Sequence, residues 1–202
     1  ITRINLSYAL FMNNRPELAL QYARNAWEND KLNEYASVNY FNAMLWNLKT
    51  KEAGRFLKDR DSTFDRSQRL VLRARLHMTS GHFINGLKFY DSLIRLNPDK
   101  NYIREYAEVL LNKQEIDRSM NIMSAARSKF SDREYASFKD KLHAANQQHV
   151  GIEYVYFNDI AHNSRTEYNV SWRQAGMRKF RFALKGGHSI YRSLNEKSAS
   201  AT

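Results

Sequence analysis

Four small residues, Ala19, Ala53, Gly86 and Ser119, recur at spacings of 34, 33 and 33 residues. Each sits in the second half of a helix–turn–helix pattern. A period held this closely means stacked two-helix units, because one such hairpin cannot bury its apolar face alone. The clearest copy is 74–98, ARLHMTSGHFINGLKFYDSLIRLNP. It reads as two amphipathic helices around Ser80-Gly81, closed by an Asn97-Pro98 stop. Small residues stand at Ala74, Gly81 and Gly86, where helices come close. Bulky ones stand at Phe83, Tyr90, Leu93 and Leu96, where a stacked pair needs filling.

The other copies follow with departures. The first has Leu6, Ser7 and Leu10, Asn14 at the turn, then Ala19, Ala23 and Ala26. The second puts Phe41 where a small residue belongs and Leu48 at the turn, but keeps Ala53, Phe56 and Leu57. The fourth carries Ala107, Leu110, Ile116, Ser119, Met123 and Ala126. Ser131-Asp-Arg-Glu134 then forms a capping box, in which the Ser and Glu side chains satisfy the first free N–H groups of a helix. That helix, about 132–147, carries Tyr135, Phe138 and Leu142 on one stripe and reads as a solenoid cap or a lever leading out of the repeats.

At His149 the period changes from 3.6 to 2. Val150, Ile152, Tyr154 and Tyr156 alternate with polar or small residues, as do Tyr168, Val170 and Trp172, then Phe180, Phe182 and Leu184. Three antiparallel strands are expected, with a longer polar connection over 158–165, a tight turn over 174–178 at Gly176, an interruption at Gly186-Gly187 and a further strand at 189–193. Two alternatives stand. One is a meander packed on the last helix, burying Tyr154, Trp172 and Phe180. The other is the opening of a transmembrane barrel. The expected organisation is a helical domain 1–147, a β segment 148–193 and a polar tail 194–202.

Composition narrows the function classes. Hydrophobic residues make up 43%, too many for a disordered chain, while only 2 Pro and 7 Gly favour long helices. With no Cys, disulfides, thiolate zinc sites and Cys nucleophiles are excluded. The net charge of +11 suits anionic partners without choosing among them. The six His show no metal spacing, and with His77 and His82 five apart across a predicted turn, no shared metal is expected there. Asp59 and Asp61 lie in a loop with nothing to desolvate them, and no phosphate loop, G-x-S-x-G or H-E-x-x-H occurs. Neither catalysis nor a metal or cofactor is expected. The start at Ile1, within a helical pattern, and the polar EKSASAT end suggest an internal piece of a longer protein.

The third copy resembles the tetratricopeptide (TPR) motif, with Ala74, Gly81, Phe83, Gly86, Tyr90 and Pro98 at its characteristic positions. The resemblance implies a mainly α fold: a superhelix of about four hairpins plus a capping helix, followed here by three to four antiparallel strands. It also implies binding on the concave face of the first helices. Carried over residue by residue, that face is Ile4, Tyr8, Phe11 and Met12, then Val38, Asn42, Leu45 and Trp46, then Val71, Arg75 and Met78, then Arg104 and Glu108. Tyr8 and Phe11 have a second explanation, as packing for a preceding repeat. Ile4 and Tyr8 stand where chaperone-binding TPRs have Lys and Asn, which disfavours that function. Arg66, Arg69 and Arg73 form one stripe, either a phosphate- or polysaccharide-binding ridge or a solvated face.

From His149, the run HVGIEYVYFN, then YNVSWR, then Phe180 to Gly187, resembles the start of YaiO-like outer-membrane barrels, in which TPR repeats precede the barrel. The same order resembles export porins of the poly-N-acetylglucosamine and cellulose type. These resemblances imply periplasmic repeats of a bacterial outer-membrane protein, acting in envelope assembly or exopolysaccharide export. The partners would be a protein or peptide in the groove, an anionic polysaccharide, and the outer membrane through the strands. The alternative is a soluble, cytoplasmic TPR adaptor that binds a peptide and carries a β-meander cap. Nucleic acid is disfavoured, since the first helices carry no regular base-reading pattern.

Overall fold

The turns inside the hairpins show how closely the copies agree. The computed structural model describes residues 2–145, 148–158, 164–174 and 183–192. Its hairpins are α1 (Thr2–Met12) with α2 (Pro16–Asn29), α3 (Glu34–Trp46) with α4 (Thr50–Asp59), α5 (Arg66–Thr79) with α6 (Phe83–Leu96), and α7 (Lys100–Asn112) with α8 (Ile116–Ala125). Asn14, Leu48, Gly81 and Gln114 hold φ of 58°, 56°, 79° and 64° at the same place in all four. The next N–H (Arg15, Lys49, His82, Glu115) donates to a carbonyl five residues back (Leu10, Met44, His77, Leu110), each at 2.9 Å. This is the Schellman closure, which satisfies carbonyls left open at a helix end. The departure at Leu48 is therefore one of side chain only.

Twelve residues separate the positions where the two helices of a hairpin cross. In the first hairpin Ser7 Oγ donates to the Ala19 carbonyl at 2.9 Å, and in the fourth the polarity is reversed, Ser119 Oγ donating to the Ala107 carbonyl at 2.7 Å. In the third no side chain intervenes: a Cβ on Gly86 would lie 3.3 Å from the Ala74 carbonyl oxygen and 2.5 Å from Met78 Sδ. The second carries Phe41, fully buried, and α3 and α4 pack less closely than α1 and α2 or α5 and α6. The space is used for an interlocked cluster of Trp27, Tyr40 and Phe56, with ring centroids 5.1–5.3 Å apart.

The structural repeat is two hairpins long. α2 and α6 run 14 residues, whereas α4 and α8 stop at 10 and pass into 3₁₀ turns at Asp61–Thr63 and Arg127–Lys129. After each 3₁₀ turn comes a buried Phe (Phe64, Phe130) and a capping box, Asp65 with Gln68 and Ser131 with Glu134. α9 (Asp132–Ala145) thus begins as α5 does, 66 residues later in the chain. The capping helix expected after the fourth hairpin is α9, and it starts in the manner of a repeat's first helix. The chain divides into two compact units, Ile1–Ile103 and Arg104–Thr202, the boundary falling within α7. The core of the first includes Phe41, Leu72, Tyr90 and Leu93, and that of the second Tyr106, Leu110, Met123 and Phe138.

β1 (Gln148–Asn158), β2 (Ser164–Gln174) and β3 (Ala183–Arg192) form an antiparallel sheet in the order β1-β2-β3. Register sets Val150 opposite Trp172, Ile152 opposite Val170 and Tyr154 opposite Tyr168, so these share a face. The Tyr154 and Tyr168 rings are 5.2 Å apart. That face is open: Ile152 is 83% and Tyr154 59% exposed, so the expected burial of Tyr154 under the last helix does not occur. On the other face Asn169 donates to Glu153 at 3.1 Å, and Ser171 Oγ would lie 2.6 Å from a Cβ on Gly151, which explains the glycine.

β3 corrects the expected third strand. It runs through Gly186 and Gly187, which pair with Val170 and Asn169, because the ladder is made by main-chain groups that glycine also has. Phe180 and Phe182, the turn at Gly176, most of the 158–165 connection and the 194–202 tail lie outside the described residues. No described helix is long and apolar enough to cross a membrane.

Candidate functional site

The first helices of the hairpins in the first unit bound a groove of about 300 Å³, lined by Ile4 of α1, Val38, Asn39 and Asn42 of α3, and Val71 and Arg75 of α5, among others. Arg75 Nη1 donates to Asn42 Oδ1 at 3.2 Å, bridging α5 to α3. This fixes the Asn42 amide with its oxygen used and its NH₂ without a partner among the described residues. One turn earlier on α3 is Asn39, only 8% exposed, whose amide nitrogen is buried and also unpartnered. A buried polar group without a hydrogen bond costs stability. Gln68 closes one end by donating to Glu34 while its oxygen accepts from the Asp65 N–H at 3.0 Å. Beside the groove is a recess of about 270 Å³ between Ile4, Asn5, Asn33 and Tyr35, and Ile4 and Tyr35 line both.

Of the residues expected on this face, the structure brings Asn42 and Arg75 together, with Ile4, Val38 and Val71. Others are occupied elsewhere. Phe11 stacks on Trp46 at 4.1 Å with rings 9° from parallel, and Tyr8 meets Trp46 edge-on at 6.1 Å. These aromatics join the first repeat to the second, and Phe11 does not depend on a preceding repeat for its packing. Leu45 is buried, because α3 is covered on most of its circumference, and it is removed from the groove. Met78 packs over Gly86. The Arg ridge is also largely committed. Arg69 and Arg73 hold Asp61 at 3.4 and 2.8 Å, so this carboxylate, which opens the 3₁₀ turn and is not in a loop, has partners, and of the three only Arg66 has none among the described residues.

Arg104 lines a different groove, of about 320 Å³, in the second unit. Val38, Asn42, Gln68, Val71, Leu72 and Arg75 of the first groove correspond, 66 residues later, to Arg104, Glu108, Glu134, Ser137, Phe138 and Lys141, and all six of these line the second. The two grooves are the same site of the two-hairpin unit with different side chains. Arg104 pairs with Glu134 at 2.7 Å and Lys141 with Glu108 at 2.6 Å, the latter at the place of the Arg75–Asn42 bond. The sequence held the signal in the matching runs Ser62-Thr63-Phe64-Asp65 and Ser128-Lys129-Phe130-Ser131.

His77 and His82 meet across the turn, because Gly81 folds α6 back and sets their rings 5.8 Å apart. His77 also stacks on Phe89 at 5.3 Å, and its Nδ1 is buried without a partner among the described residues. Burial, then the charge of His82, hold its pKa below the ordinary histidine value. Among the described residues no group of three or more His, Asp or Glu could hold a metal ion.

No family model matches the chain, and no curated protein matches it. Among solved structures the chain is similar to YrrB, described as a TPR protein with an unusual peptide-binding site, at 16% identity and a TM-score of 0.39, over 71% of this chain and 84% of that one. The turns, crossings and period of the hairpins themselves define a TPR-like helical-repeat fold followed by an antiparallel sheet.

Proposed function

We propose that the chain is a non-catalytic interaction scaffold whose first groove holds an extended peptide segment of a partner protein. The observation that carries this is the pair of side-chain amides, Asn39 and Asn42, one turn apart on α3 and both without a partner for their NH₂ groups among the described residues. Residues three apart on a helix are neighbours on its surface. An extended chain presents carbonyls on one side at every second residue, roughly 6.5–7 Å apart. Two adjacent amides suit such a ligand, reading main chain, while the Ile4–Tyr35 recess takes an apolar side chain. The test is selection of peptides from a random display library on the immobilised full chain, followed by affinity measurement on the Asn39→Leu variant. A loss of about tenfold, the usual scale for one good hydrogen bond, is expected. Unchanged affinity would remove the groove from the account.

A second reading rests on the sheet. Val150, Ile152, Tyr154, Tyr168 and Val170 form one exposed apolar face on strands of 11, 11 and 10 residues, a length suited to crossing a bilayer. In this reading the repeats are the periplasmic part of an outer-membrane protein in envelope assembly or polysaccharide export. In the alternative the chain is a cytoplasmic adaptor. A compact, heat-modifiable band in SDS for the protein that contains this chain supports the first, and a soluble protein the second.

A further inference from the structure

We propose that the second groove is a second peptide site, taking a segment in which carboxylates flank an apolar residue. The proposal rests on the reading of the first groove as a peptide site, since it extends that site by the 66-residue equivalence. The two grooves occupy corresponding places and have similar volumes, about 300 and 320 Å³. What differs is charge. The side chains of the second groove include Arg104, Arg133 and Lys141 against Glu108 and Glu134, an excess of one cation. Two cations are used in the Arg104–Glu134 and Lys141–Glu108 pairs. Arg133 is exposed and has no partner among the described residues.

The four paired side chains are 32–56% exposed, so their pairs hold weakly and can be shared with an incoming carboxylate. Between them Phe138 offers an aromatic floor. A carboxylate on Arg133 balances the one excess cation of the groove, an apolar side chain lies over Phe138, and a further carboxylate competes with Glu108 for Lys141. Unlike the first site, this one reads charge, so its affinity falls with salt.

The probe is a fluorescein-labelled heptapeptide with Glu-Phe-Glu flanked by glycines, its Gln-Phe-Gln counterpart serving as the neutral control, measured by anisotropy on the full chain at low and moderate salt. The acidic peptide is expected to bind at least tenfold tighter than the neutral one and to lose most of that advantage in salt. Arg133→Ala should cost about fivefold or more, while Arg66→Ala, an exposed cation with the same charge change, and Asn39→Leu leave it unaltered. Equal losses from Arg133→Ala and Arg66→Ala would reduce the effect to general attraction to a +11 chain and overturn the proposal. Loss with Asn39→Leu would place the acidic peptide in the first groove, overturning this proposal while supporting that reading. Display-selected peptides indifferent to Asn39→Leu and to Arg133→Ala alike would instead overturn the first-groove reading and the basis of this one.

Discussion

Leu48 and Gln114 hold a left-handed backbone that costs an L-residue about 1–2 kcal/mol. Leu48 is 75% exposed and loses little packing if removed. Leu48→Gly should therefore raise stability by about 1 kcal/mol, and Gly81→Ala should lower it by a similar amount, both measured by urea unfolding. His77 makes a pH prediction. Its folded pKa lies below the ordinary value of 6.5, so between the two values the unfolded chain binds the extra proton. Stability then rises with pH across that window and is lost as pH falls through the folded value. Urea midpoints for wild type and His77→Phe between pH 7.5 and 5 should differ in slope, the variant being flatter. The sequence announced the turns at Asn14 and Gly81, because few residues favour a positive φ. It did not announce the His77–His82 contact, which the Gly81 turn creates by bringing together side chains that look separate along the chain.

Among the elements, the crossing of the two helices sets the geometry of each hairpin. Ser7 and Ser119 are fully buried and each donates across its crossing. Replacing either with Ala should cost about 1 kcal/mol, the net worth of a buried hydrogen bond, readable as a shift in thermal midpoint. The period of the small residues made these crossings legible. The two-hairpin repeat was hidden because the small position recurs every 33 or 34 residues regardless of whether the second helix is 14 or 10 residues long. Only the junctions differ, and there the signal is a Phe and a cap. Groove positions suffered similarly. Repeat numbering put Asn42 and Arg75 on one face, where their side chains meet, but it could not foresee that Trp46 would be taken by Phe11 or that α3 would bury Leu45. Those outcomes depend on which neighbours surround a helix. Asn39 was missed because an isolated Asn on a helix carries no pattern; its meaning comes from burial without a partner.

At the scale of the whole molecule, alternation of apolar and polar residues was enough to foresee β1 and β2 but not the course of β3 through two glycines, and the structure shows the apolar side open to solvent. If that side meets lipid, the full chain should co-float with phosphatidylglycerol-containing vesicles, and the double variant Ile152→Asp, Val170→Asp should abolish it. Flotation that survives the variant would assign membrane attraction to the +11 charge instead. The central claim concerns the helical part. It is tested most directly by the side-chain amide NMR signals of Asn39 and Asn42 in the ¹⁵N-labelled full chain, titrated with the tightest display-selected peptide. Both NH₂ pairs should shift and gain exchange protection, while that of Asn29, already bonded to the Asn25 carbonyl at 2.7 Å, stays in place. Peptide binding that leaves the Asn39 and Asn42 signals unmoved would contradict the account.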